Sequence, residues 1–264
     1  MILDKFDLSG KTAIITGGGT GLGRAMALSL ADAGADVGVA ARRVEPLEET
    51  AALVAAKGRK SWIRSTDVTD SAEVDAMIAE AITEFGRVDI LINNAGITSQ
   101  GRGKTLPELT DEDWRVGIDV NLSSAFYCSR AVIPHFLDEG GGRIINVTSG
   151  WGMRGGRGNF MYSVAKGGVI QLTKALAMTY ARDNIRCTSI APGLIPKEIP
   201  VEAREQRNGF QPVGRVGWPY EMGPLSVYLA SEAADYMSGE TILLDGGSIA
   251  GGLTPAGYAP VAEA

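Results

Sequence analysis

Short runs of β-branched and apolar residues alternate along the chain with longer stretches whose apolar positions recur every three or four residues. TAIIT (12–16), DVGVAA (36–41) and residues 60–66 read as strands. Between them lie an amphipathic segment, RAMALSLADAG (24–34), closed by Gly34, and a helix over 45–57. A helix over 71–86 follows, capped by Asp70 or Ser71, and then VDILIN (88–93), a continuous apolar run. Continuous apolarity is expected where both faces of a parallel strand are covered. The second half repeats the pattern, with helices over 111–138, 161–182 and 219–230 and strands RIINVTS (143–149), IRCTSIAP (185–192) and ETILLD (240–245). Strands separated by helices predict an α/β fold, a doubly wound Rossmann-type parallel sheet of about seven strands with helices on both faces. No linker, charged block or short repeat interrupts the pattern, so residues 1–264 read as a single domain.

Composition narrows the class without altering that fold. Hydrophobic residues are 45% and charged residues 21% of 264, ordinary for a globular chain that buries a sizeable core. A net charge of −6 argues against a nucleic-acid partner, whose binding surface is basic. Cys128 and Cys187 lie far apart with no CxxC pair, so reduced thiols are expected. The opening MILDKFDLSGK has acids where a secretory signal needs a basic stretch and then an apolar one. No apolar run approaches the ~20 residues of a membrane span, so a soluble, cytoplasmic protein with no membrane partner is expected. His135 is the one histidine, which leaves no His-based metal site, and it reads as a surface or interface residue.

Candidate chemistry begins directly after the first strand. TGGGTGLG (16–23) spaces Gly17, Gly21 and Gly23 around Thr20 and Leu22 as the next helix opens. Glycines there permit a tight turn and let the backbone approach a pyrophosphate whose charge sits on the helix N-terminus. A glycine-rich turn without a ligand is the plain alternative. An NAD site usually places an acid at the end of the second strand, about 20 residues on, to accept from the ribose hydroxyl. Ala41 stands there instead, followed by Arg42 and Arg43, which leaves room for a 2′-phosphate and supplies guanidinium groups to hold it. NADP(H) is therefore the expected cofactor; the alternative is that both arginines merely solvate a loop. Asp67 and Val68 end the third strand on the same edge, placed to contact the adenine or, for Asp67, to start a turn.

Tyr162 and Lys166 are spaced i, i+4 on one face of a predicted helix. An ammonium near a phenol favours phenolate and draws its pKa from about 10 toward working pH. Such a phenol protonates a carbonyl oxygen as hydride arrives, or deprotonates an alcohol in reverse. Ser149, at the end of a strand, is placed to donate to the same oxygen or to cap a turn.

With these motifs in this order, the chain resembles the short-chain dehydrogenase/reductase family, in its single-domain form, over essentially its whole length. TGGGTGLG resembles the family's TGxxxGxG turn, and Asn93–Gly96, hence Asn94, Ala95 and Gly96, resembles its NNAG signature beside the adenosine ribose. Asn121, Ser149, Tyr162 and Lys166 resemble its catalytic tetrad, and Pro192 and Gly193 its turn beside the nicotinamide. GRVGWPYEM (214–222) and SGETILLDGG (238–247) resemble its C-terminal segments. The resemblance implies that Tyr162 is the acid/base and that Ser149 polarises the substrate oxygen. Lys166 would lower the Tyr162 pKa and hold the nicotinamide ribose. Asn121 would bend its helix and place a water joining Lys166 to solvent, and Arg42 would hold the 2′-phosphate. The Ile195 backbone would meet the carboxamide. One departure stands out: many members carry Thr four positions past the Gly of the PG pair, where this chain has Lys197. Lys197 to Arg215, stiffened by prolines, reads as a short lid.

The substrate pocket is expected from residues 97–103, 150–161 and 194–215, beyond the carboxyl ends of the strands. They bring apolar residues, Trp151, Met153, Phe160, Met161 and Phe210, together with Arg102, Arg154, Arg157 and Lys197. Trp151, Arg154 and Phe160 are the expected substrate contacts. The mix suits a substrate with an apolar body and an anionic end, such as an acyl thioester, keto acid or sugar acid; solvated loop charges are the alternative. The expected activity is hydride transfer between NADP(H) and the carbonyl or alcohol carbon of a small substrate. An NAD-dependent dehydrogenase of the same family and a non-catalytic dinucleotide-sensing module are the alternatives. Apolar residues on more than one face of the helices over 111–138 and 161–182 suggest a homo-oligomer, tetramer or dimer. The tail over 248–264 is expected to be disordered or docked on a neighbouring subunit.

Overall fold

A computed structural model describes residues 1–197, 199–208 and 211–250; Phe210 and most of the expected tail lie outside the described residues. All seven expected strands form. β1 (Thr12–Thr16) is buried at every position, as its unbroken apolar and β-branched sequence requires. It feeds α1 (Gly21–Asp32), and β2 (Asp36–Ala41), α2 (Glu45–Ala55) and β3 (Ser61–Ser65) complete the first half of the sheet. α3 (Ser71–Phe85) starts where the Asp70 carboxylate accepts from the backbone N–H groups of Ala72 and Glu73, and it stops at Gly86 in a left-handed conformation, φ 83°. β4 (Ile90–Asn93), β5 (Gly142–Val147), β6 (Ile185–Pro192) and β7 (Thr241–Leu244) form the second half.

The strand order is β3-β2-β1-β4-β5-β6-β7, with every pairing parallel. Ile14 is in register with Gly38 on one side and Leu91 on the other, so β1 and β4 are adjacent although two strands separate them in sequence. The chain winds outward in opposite directions from that pair, which opens a crevice at their carboxyl ends. Helices cover both faces. On one, Met26 and Leu30 of α1 and Leu47 of α2 pack against Ile15 and Ile92, with Met222 and Leu229 of α8 (Met222–Ala230). On the other, Val74 and Met77 of α3 pack against Ile14 and Leu91, with Val132 and Phe136 of α5 (Ser124–Asp138).

Three elements differ from the sequence pattern. The helix expected over 111–138 is broken into α4 (Asp111–Ile118), a π-helical turn at Asp119–Ser123, and α5. The segment before α8 opens as a 3₁₀ turn, Pro219–Glu221. A further helix, α7 (Val201–Asn208), forms inside the stretch read as a lid. Its sequence, VEAREQRN, has no apolar stripe to signal a helix, and Arg204 alone is buried. α6 (Phe160–Tyr180) forms as expected. His135 ties α5 to the entry of β4, because its Nε2 accepts the backbone N–H of Val88 at 3.0 Å. Among the described residues, no helix is long and apolar enough to cross a membrane.

Candidate active site

The crevice at the switch point continues into a cavity of about 1400 Å³. Its outer end is the glycine turn between β1 and α1. Gly17 has φ +66°, and a Cβ there would lie 2.9 Å from Asn94 Nδ2; a Cβ on Gly23 would lie 2.3 Å from the Gly17 carbonyl oxygen. Neither position has room for a side chain. Thr20, the N-cap of α1, makes no side-chain cap, so its hydroxyl does not occupy the first N–H groups of that helix. The Asn94 side chain donates to the carbonyls of Thr16 and Gly17, at 2.9 and 3.2 Å, and the Thr16 hydroxyl accepts from the N–H groups of Asn94 and Ala95. Asn94 thus clamps the turn to the end of β4.

Thr20, Leu22, Arg42, Arg43, Val68 and Ala95 all line this end. Arg42 and Arg43 are exposed, and among the described residues neither has a carboxylate within 4 Å. Asp67 lies in the wall as well, but the Thr69 N–H and hydroxyl bind its carboxylate and hold its pKa below the ordinary value, with the Arg42 charge a smaller contribution. It starts a turn. Gly21 is absent from the wall because the Lys197 stem lies across it: a Cβ at Gly21 would meet Lys197 Cγ at 2.7 Å. The Lys197 ammonium donates to Thr20 Oγ1 at 3.2 Å. The departure read from sequence as a lost hydroxyl contact therefore puts a cation on the glycine turn.

At the inner end Ser149, Tyr162 and Lys166 converge. Ser149 lies just past β5 and its Oγ accepts the Trp151 N–H at 3.2 Å, capping a 3₁₀ turn at Gly150–Gly152. Tyr162 and Lys166 occupy the first turns of α6, which is held against β5 by Thr148 Oγ1 donating to the Lys166 carbonyl at 2.8 Å. The Lys166 ammonium is buried, donates to the Val147 carbonyl at 2.8 Å and sits 5.8 Å from the Tyr162 ring centre. Burial brings its pKa down to about 8. Burial also pushes the Tyr162 phenol above its ordinary value, with the Ser149 hydroxyl opposing. The depressed phenol pKa expected from sequence is therefore not found in this structure: the same desolvation that raises the phenol draws Lys166 toward neutrality. Asn121 sits in the π turn, its Nδ2 on the Gly117 carbonyl and its Oδ1 accepting the Ile97 N–H, each at 3.0 Å. A Cβ at Gly96 would fall 2.9 Å from Asn121 Oδ1 and 3.5 Å from Lys166 Nζ, so this glycine keeps a gap open between them.

Pro192, Gly193 and Ile195 lie in the wall beyond β6. Of the expected substrate contacts, Trp151 and Arg154 line the cavity, with the Arg154 guanidinium 4.6 Å over the Trp151 ring; Phe160 opens α6 but does not line it. Gln211, Asp245, Ser248 and Ile249 line the cavity too, although sequence reading singled out none of them and took 248 onward as tail. Ser248 Oγ donates to Gln211 Oε1 at 2.6 Å. The Gly246–Gly247 pair, both at positive φ, turns the chain back toward the site and was the available signal.

This geometry has known counterparts. Residues 11–208 match the family model for short chain dehydrogenases. Over 258 residues the chain is 40% identical to the 2-dehydro-3-deoxy-D-gluconate 5-dehydrogenase of Escherichia coli, covering 95% of this chain and 100% of that protein. It is 35% identical over 246 residues to a 3-oxoacyl-(acyl-carrier-protein) reductase of Thermotoga maritima, covering 92% and 99%. A gluconate 5-dehydrogenase from Burkholderia cenocepacia, solved in complex with NADP and tartrate, superposes with a TM-score of 0.86 at 33% identity, covering 94% of this chain and 98% of that one. The chain belongs to the short-chain dehydrogenase/reductase family. It is an oxidoreductase of CH–OH and carbonyl groups that uses a nicotinamide dinucleotide.

Proposed function

We propose that this chain is an NADP(H)-linked dehydrogenase/reductase that moves a hydride between nicotinamide and the carbonyl or alcohol carbon of a small substrate. One observation carries the reading: Ser149, Tyr162 and Lys166 meet at the inner end of a cavity whose outer end is a glycine turn on a helix N-terminus. That turn fits a pyrophosphate, because Gly17 and Gly23 let it close tightly at a helix N-terminus that the Thr20 side chain does not cap. Arg42 and Arg43 suit a 2′-phosphate where Ala41 offers no acid to a ribose hydroxyl, and Lys197 suits the pyrophosphate. The NADP-bound relative supports the same preference.

A bound nicotinamide supplies or accepts the hydride. The protein's own groups position the substrate oxygen and move its proton. Because Ser149 Oγ already accepts the Trp151 N–H, its hydrogen is free to donate to that oxygen and polarise the carbonyl. The Tyr162 phenol gives its proton to the oxygen in reduction, and in oxidation its phenolate takes the proton of the alcohol. The Lys166 ammonium stabilises the phenolate left behind. The gap beside Gly96 suits a water between Asn121 and Lys166 that returns the proton from solvent. We place the protein in the cytoplasm as a homo-oligomer, tetramer or dimer; half-exposed Phe126 on α5 and exposed Met178 on α6 support association.

Replacing Tyr162 with Phe should cut kcat by about a thousandfold while dinucleotide affinity, read by quenching of protein fluorescence, stays unchanged. Undiminished turnover would refute the assignment. Wild type should show a higher kcat/KM with NADP(H) than with NAD(H), and Arg42→Ala should shrink that ratio by about tenfold, one charge-assisted hydrogen bond. A wild type that prefers NAD(H), with no change in the variant, would make Arg42 a bystander.

A further inference from the structure

We infer that the mouth of the cavity is a carboxylate clamp formed by Arg102, Arg154 and Arg157, and that the substrate is consequently a small organic acid. The inference rests on the oxidoreductase reading and adds the chemical class of its substrate. Two separate loops build the clamp. Arg102 comes from the connection after β4, and Arg154 and Arg157 from the connection after β5. The loops are joined where the Gly103 N–H donates to the Gly158 carbonyl at 2.8 Å. Gly158 has φ +61°, and a Cβ there would lie 3.2 Å from Gly103 Cα, so two bare backbones touch. Arg102 and Arg157 each adjoin one of these paired glycines, which brings two guanidinium-bearing residues together from distant parts of the chain.

Among the described residues, none of the three arginines has a carboxylate within 4 Å. Acids of the same wall and loops already accept hydrogen bonds within the protein. Asp113 binds Lys104 and Gln100, each at 2.7 Å, and the Lys104 contact holds its carboxyl well below the ordinary range. Asp119 accepts from Ser123, and Asp245 from the N–H groups of Gly247 and Ile249. The Arg154 guanidinium rests on the Trp151 ring, 4.6 Å from its centre, which holds the side chain in the cavity wall. Guanidinium groups present paired donors that match the two oxygens of a carboxylate.

The three arginines share a cavity wall with Ser149 and Tyr162, so an anion held by them belongs to what that site binds. A thioester places no charge of its own beside the acyl group, whereas a free acid brings a carboxylate that paired guanidinium donors match. The clamp favours the free acid.

The test uses holoenzyme, with dinucleotide bound, and two probes of equal carbon number: D-gluconate and its neutral counterpart D-sorbitol. Affinity is read from the shift in thermal unfolding. Gluconate should bind at least about tenfold more tightly than sorbitol, as expected for one desolvated charge-assisted contact. The Arg102→Gln/Arg157→Gln variant, altered at two exposed side chains, should lose most of that preference while dinucleotide affinity is unchanged. Equal binding of the two probes by wild type, or a preference for gluconate that survives in the variant, overturns the clamp. Acetoacetyl-pantetheine reduced more efficiently than acetoacetate, and equally well by the variant, also overturns it in favour of a carrier-bound substrate. Failure of wild type to bind any nicotinamide dinucleotide would instead defeat the oxidoreductase reading, so the two failures are distinguishable.

Discussion

Lys166 meets two opposed demands. In the proposed reaction its ammonium sits beside Tyr162 to support a phenolate, and that location removes it from water with the Val147 carbonyl as its hydrogen-bond partner. The cost is visible in a pKa drawn from 10.5 to about 8. Between those values the unfolded chain holds the proton and the folded chain does not, so this residue makes stability rise with pH through that window. At pH 7 the buried charge is a net burden. Lys166→Met should therefore be more stable than wild type by about 2 kcal/mol at pH 7, and inactive. Its advantage should shrink as pH rises from about 8 toward 10.5. Urea unfolding of both proteins at two pH values checks this, and the difference between them isolates Lys166 from Cys128, Cys187 and Tyr162, whose raised pKa values act in the opposite sense. A variant less stable than wild type at pH 7 would mean that the ammonium is better compensated than its partners indicate. The Tyr–Lys pairing was legible in sequence because i, i+4 spacing fixes a shared face. The direction of the phenol pKa was not, since it depends on burial, which no spacing encodes.

Elements, rather than residues, decide how the cofactor end is assembled. The seven strands and the helices that flank them follow from apolar periodicity, and Asp70 and Gly86 mark the two ends of α3 by side-chain and backbone chemistry. The π turn at Asp119–Ser123 escaped the apolar pattern because its apolar positions continue those of the flanking helices, and only the family resemblance, which implied that Asn121 bends its helix, pointed to it; the Asn121 bonds to Gly117 and Ile97 accompany that bend. α7 escaped for the opposite reason, being almost wholly polar. It is anchored instead by Arg204, whose guanidinium lies 3.5 Å over the Trp218 ring and donates to the Gly217 carbonyl. The stretch from Gly193 to Lys197 brings the Lys197 side chain back over the glycine turn, a contact between residues 177 positions apart. Lys197→Thr, the residue many family members carry there, should weaken NADP(H) and NAD(H) binding alike by about tenfold, because both share the pyrophosphate. Titration of each dinucleotide by fluorescence checks it. Loss confined to NADP(H) would move Lys197 to the 2′-phosphate, and no loss would leave it a structural strap.

Across the whole molecule, charge is distributed against its own average. The chain carries −6 overall, yet the cavity wall holds seven basic side chains against three acidic ones. Two fields thus act on an approaching anionic dinucleotide, a repulsive one from the molecule and an attractive one from the mouth. Screening decides between them. At ~0.1 M salt the Debye length is about 10 Å, so the diffuse negative charge is muted before the ligand reaches the crevice while the clustered cations act within that range. The local field should win, and the association rate for NADP(H) should fall as salt is raised from about 0.05 to 0.5 M. The dependence should be steeper for NADP(H) than for NAD(H), whose charge is smaller and which has no phosphate for Arg42 and Arg43. Stopped-flow mixing at a series of salt concentrations measures both slopes. A rate that climbs with salt would show the net charge of the molecule prevailing over its site, and would mean that the exposed arginines at the end of β2 lie too far from the ligand's path to steer it.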